Sequence, residues 1–183
     1  LGRAYAMGVG VTRDPAHAAR LAQSACDADD AMGCNDLGRA YADGAGVAAD
    51  ATKAFTLFTR ACTLGDGDGC NGLADIYWRG TKAVPKNRRR AVELYATGCA
   101  NGGAIACYNH GRKLARGDDV AKDEVKAADA FAKGCELGDG RACADLAEAL
   151  ADGRGVAKDE AKAQTYRARA CQLGWGDKRC GKR

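Results

Sequence analysis

Ten cysteines fall along this 183-residue chain as five pairs, and the pairs recur at a nearly constant interval. Cys26/Cys34, Cys62/Cys70, Cys99/Cys107 and Cys135/Cys143 each enclose seven residues, and Cys171/Cys180 encloses eight. The first members of successive pairs lie 36, 37, 36 and 36 residues apart. A fixed period of this size marks a tandem array whose units stack to bury a shared core. The cysteine count points to an oxidising compartment.

Aligning on the cysteines exposes the rest of the unit. Its best copy carries Cys34, Leu37, Gly38, Tyr41, Gly44, Gly46, Val47, Asp50, Lys53, Ala54, Ala61, Cys62 and Gly65. Cys34, Leu37, Gly38 and Tyr41 stand at i, i+3, i+4 and i+7, one face of a first helix, A. Gly38, Ala74, Gly111 and Ala147 are small enough to admit a neighbouring helix. Gly44 is placed to cap helix A, with Gly46 as a second positive-φ position. Val11, Val47, Val84, Val120 and Val156 plug that turn into the core.

Asp14, Asp50, Asn87, Asp123 and Asp159 stand as N-caps of a second helix, B. Ala18, Ala54, Ala91, Ala127 and Ala163 begin its buried stripe, and Gly65, Gly102, Gly138 and Gly174 end it. The third unit is one residue longer through Gly80–Val84, so its turn must differ. Asp119 replaces a turn glycine, and His110 replaces the leucine of helix A.

Composition narrows the function classes. Two prolines and few β-branched runs argue against an all-β fold. A net charge of +4, with both signs interspersed, carries no nucleic-acid signal. No run of 18 apolar residues exists, so no transmembrane segment is expected. The chain opens at Leu1 partway through a repeat, so register predicts upstream sequence, and a cleaved export signal there would be consistent with the cysteine count.

The L-G-x-x-Y-x-x-G-x-G-V-x-x-D-x-x-K-A string resembles the Sel1-like repeat, a relative of the tetratricopeptide repeat. With its C-x7-C pairs the chain is similar to the Helicobacter cysteine-rich family. The resemblance implies an all-α fold: an α/α solenoid, a right-handed superhelix of about five 36-residue helix hairpins, as one domain over residues 1–183. It also implies a secreted or periplasmic setting. Similar cysteine-bearing repeats in a mitochondrial intermembrane-space assembly factor give the alternative location.

Each pair sets one cysteine at the end of helix B and the other at the start of the next helix A. Pairing is therefore expected within each pair, Cys26–Cys34 through Cys171–Cys180. Zinc is the rival, but seven intervening residues suit no zinc knuckle, C-x-x-C is lacking, and only two histidines occur.

The family resemblance also suggests penicillin-binding or β-lactamase-like activity. A serine β-lactamase needs a lysine three residues beyond its nucleophile. The one serine, Ser24, has Asp27 there. His17 and His110 are 93 residues apart, and His17 takes a lysine slot expected to face solvent. No catalytic, metal or cofactor residues are therefore assigned. The Lys86–Arg90 run reads as a solvated face, and the C-terminal segment from Asp177 as a basic capping end.

What remains is the concave face lined by helix A, where positions one, five and eight beyond each cysteine are expected to be free. They give Asn35, Arg39, Asn71, Asp75, Trp78, Tyr108 and Arg112 as candidate contacts, with Ala42, Ala115, Ala144, Glu148 and Ala151 on the same face. Asparagine both donates to and accepts from peptide backbone, and the aromatics anchor apolar groups at low entropic cost. The expected partner is a protein or extended peptide held by a monomeric, non-enzymatic scaffold.

Overall fold

The computed structural model describes residues 1–175, which form ten α-helices and no strands. Helices of type A are α1 (Gly2–Met7), α3 (Ala31–Asp43), α5 (Gly67–Arg79), α7 (Ala104–Arg116) and α9 (Gly140–Asp152). Helices of type B are α2 (Pro15–Asp27), α4 (Ala51–Thr63), α6 (Arg88–Ala100), α8 (Glu124–Glu136) and α10 (Glu160–Gln172). The chain divides into two compact units, Leu1–Leu94 and a second beginning at Tyr95. No helix among the described residues is long and apolar enough to cross a membrane.

The expected N-caps of helix B hold. Asp14, Asp50, Asn87, Asp123 and Asp159 each accept a backbone N–H from the first turn, at 2.9–3.0 Å. Their own N–H groups close the A-to-B turn by donating to the carbonyls of Tyr5, Tyr41, Tyr77, Leu114 and Leu150. The side chain thus caps one helix while the backbone ties it to the one before. In the longer third turn, Val84 N–H donates to Thr81 Oγ1 at 2.9 Å and Thr81 N–H donates to Val84 O at 2.8 Å.

Helix A begins three residues earlier than its cysteine, at a second set of caps. Asp30, Asp66 and Asp139 accept from the first turns of α3, α5 and α9. This D-x-x-x-C spacing was available in the sequence as a helix-start signal.

In the first unit, α3 packs on α2, α4 and α5. Ala19, Ala22, Cys26, Cys34, Leu37 and Ala61 form its core, with Tyr41, Val47 and Leu57 against it. In the second unit Tyr108, Leu114, Phe131, Leu146 and Leu150 gather around Ala127, Ala128 and Ala163. The small helix-A residues admit aromatic rings. A methyl group on Gly38 would lie 2.9 Å from the Phe58 ring, and one on Gly111 would lie 2.7 Å from Phe131.

Four of the expected bridges are present: Cys26–Cys34, Cys62–Cys70, Cys99–Cys107 and Cys135–Cys143. The fifth ends on Cys180 and lies outside the described residues, as does the basic segment from Asp177. Basic side chains two residues before a helix-B cysteine reach back one repeat to the preceding joint. Arg60 pairs with Asp29 at 2.7 Å, Lys133 donates to Ala100 O at 3.3 Å, and Arg169 donates to Glu136 O at 3.3 Å.

Candidate binding surface

In the second unit, α7, α8 and α9 enclose a concavity of about 340 Å³. Arg112 and Ala115 of α7 and Glu148 of α9 line it, whereas Ala144 and Ala151 of the same helix-A register do not. Arg116, Glu124, Asp145, Phe131 and Arg154 complete its wall. Tyr108 also reaches it, but only 8% of that residue is exposed, so it serves mainly as a wedge. Its ring centroid lies 6.4 Å from that of Phe131 and 4.4 Å from the Arg141 guanidinium. Arg112 Nη1 donates to its hydroxyl at 3.1 Å.

Arg141 is held in turn by Asp139, whose carboxylate accepts from Nη2 at 2.6 Å and from Nε at 3.1 Å. The same carboxylate accepts the backbone N–H groups of Arg141 and Ala142. That ion pair holds the Arg141 guanidinium above its ordinary pKa. Sequence reading missed Arg141, because the position two before the cysteine is Met32, Asp68 or Ile105 in other repeats and has no shared chemistry.

The wall is mixed in charge. Arg154 pairs with Asp152 at 3.1 Å and approaches Glu148 at 3.6 Å. Burial, reinforced by Glu148, pushes the Asp145 carboxyl above the usual carboxylate range, against the pull of Arg112, Arg116 and Arg154. A carboxyl in that setting gains from a ligand N–H that restores the solvation it has lost.

In the first unit the candidates separate. Asn35 is not free: it is 1% exposed, and neither side-chain amide atom has a hydrogen-bond partner in the structure. Helix α3 packs against three helices, so its buried arc is wider than the four-position stripe. Arg39 is exposed and lines a separate, more apolar concavity of about 620 Å³ with Met7, Leu21, Met32 and the Arg3–Asp36 ion pair. Asn71, Asp75 and Trp78 lie half-buried along α5. The Arg88 guanidinium lies 4.9 Å from the Trp78 ring centroid. The basic run is a solvated face as expected: Lys86, Asn87, Arg88, Arg89 and Arg90 are all exposed, and Arg89 and Arg90 lie beside Glu93.

The other chemical candidates sit in structural settings. Ser24 Oγ donates to the Arg20 carbonyl at 3.2 Å. His17 does not simply face solvent: it is half-buried, edge-on to Tyr5 with ring centroids 4.5 Å apart. His110 is half-buried, and burial, reinforced by Lys126, lowers its pKa. Among the described residues, no three His, Cys, Asp or Glu side chains are grouped to hold a metal ion.

Residues 1–30, 31–66, 67–103, 104–139 and 140–175 each match the Sel1 repeat. The chain is a Sel1-repeat protein. Its fold class is the α/α solenoid expected from the motif, and each described bridge joins one repeat to the next. A Sel1 repeat protein from Oxalobacter formigenes is 30% identical, with a TM-score of 0.81 over 94% of this chain and 70% of its own. Helicobacter pylori cysteine rich protein B is 32% identical, with a TM-score of 0.60 over 76% of this chain and 99% of its own. The c5321 protein of uropathogenic Escherichia coli, a protective antigen, is 28% identical, with a TM-score of 0.52 over 92% of this chain and 44% of its own. A search of curated proteins finds no match.

Proposed function

We propose that this Sel1-repeat protein is a non-catalytic scaffold that holds an extended peptide or protein segment against its helix-A surfaces. The fold commonly serves protein interaction. The observation that carries the reading is the concavity of the second unit, where Arg112, Ala115 and Glu148 line one open cleft together with Asp145. Peptide backbone offers both a donor and an acceptor at each residue, and this wall offers guanidinium donors beside carboxylate acceptors. Arg112 and the accessible edge of Tyr108 are the proposed contacts there. In the first unit, Arg39, Asn71, Asp75 and Trp78 take the same role on their own helices. The disulfides suit an oxidising compartment, and the proposed setting is secreted or periplasmic.

Selection of a random peptide library on the immobilised full chain tests this reading. Enriched peptides, resynthesised and titrated by fluorescence anisotropy, are expected to bind at least about tenfold more weakly to Arg112→Ala and Glu148→Ala. Failure to enrich any sequence, or unchanged affinity in both variants, overturns it.

A further inference from the structure

We infer that Cys62–Cys70 is a thiol–disulfide exchange site, while the other described bridges are inert in the native state. Exchange begins with a thiolate reaching a disulfide sulfur, so access decides which bridge reacts. Cys26, Cys34, Cys107, Cys135 and Cys143 are 0% exposed and Cys99 is 7% exposed. Cys62 is partly exposed, while its partner Cys70 is 0% exposed. This bridge therefore offers one accessible residue backed by a buried one.

The repeat register supplies a physical reason. Arg60 places Nη1 3.8 Å from Cys26 Sγ and shields that bridge. Lys133 and Arg169, in the same register, reach the carbonyls beside Cys99 and Cys135.

The reacting partner is a glutathione-type monothiol. Its thiolate attacks Cys62 Sγ, the S–S bond breaks, and Cys70 Sγ leaves as a thiolate that takes a proton from water. A second monothiol attacks the outer sulfur of the mixed disulfide, releasing Cys62 thiolate and the oxidised dimer of the monothiol. Two thiols thereby supply the two electrons that reduce the bridge. Cys70 lies in the first turns of α5, so the exchange unfastens the helix that carries Asn71, Asp75 and Trp78.

The test uses the full native chain, graded reduced glutathione at pH 8, quenching with N-ethylmaleimide and peptide mapping by mass spectrometry. Cys62 and Cys70 are expected to gain label at least about tenfold faster than the other described pairs. Equal rates at all four bridges, the signature of exchange through global unfolding, overturn the proposal, as does faster labelling of another pair. In Arg60→Thr, exchange at Cys26–Cys34 is expected to accelerate, and an unchanged rate there overturns the shielding by Arg60.

Discussion

The Arg141 guanidinium lies over the Tyr108 ring, 4.4 Å from its centroid, and links the start of α9 to the middle of α7. The contact depends on Asp139, which caps α9 and orients the guanidinium with the same carboxylate. One side chain thus sets both a helix start and the back of the concavity.

Asp139→Ala is expected to lower stability by about 2 kcal/mol, combining a lost cap with a lost charge pair. Arg141→Ala keeps the cap and should cost about 1 kcal/mol. Urea unfolding of the oxidised protein at pH 7 measures both. Equal losses would show that the cap and the ring contact are not separate contributions.

The A-to-B turns separate backbone strain from packing. Gly46 and Gly10 have φ of 78° and 72°. A methyl group on Gly46 would strike the Pro15 carbonyl, whereas one on Gly10 meets nothing within 4 Å. Gly10→Ala should therefore cost only about 1 kcal/mol of left-handed strain. Gly46→Ala should cost about 3 kcal/mol or more, because it adds a backbone clash. Thermal unfolding followed by circular dichroism reads the difference, and similar midpoints for the two variants would refute the clash.

His110 supplies a pH dependence. Burial, with Lys126 adding to it, lowers the folded-state pKa, so the unfolded chain binds the proton more readily. Its contribution is present above the unfolded value of about 6.5 and is lost as pH falls from there toward the folded pKa. Leu37, Leu73 and Leu146 occupy this slot in other repeats. His110→Leu should raise the unfolding midpoint and flatten its slope between pH 5 and 7, about the range of histidine titration. A slope unchanged from the parent protein would exclude His110 as its source.

Features that act over a few residues were legible in the chain itself. Asp14, Asp50, Asn87, Asp123 and Asp159 were readable as caps because a side chain meets an N–H two or three residues away. Asp119 takes φ of 59° at the glycine-like position where it was expected. Ala18, Ala54, Ala91, Ala127 and Ala163 are buried, as the helix-B stripe required. The cysteine period identified the array, and four described bridges form within the expected pairs.

Tertiary structure alone decided which helix-A positions remain open. Asn35 and Tyr108 share one register but have different fates: Asn35 is enclosed without a hydrogen-bond partner, while Tyr108 wedges between helices and meets Arg112 and Arg141. Those outcomes depend on the size and charge of side chains on other helices, roughly one repeat away in sequence, which no local spacing encodes. Periodicity determined which residues share a helix face; the packing of neighbouring helices determined how much of that face a ligand can reach.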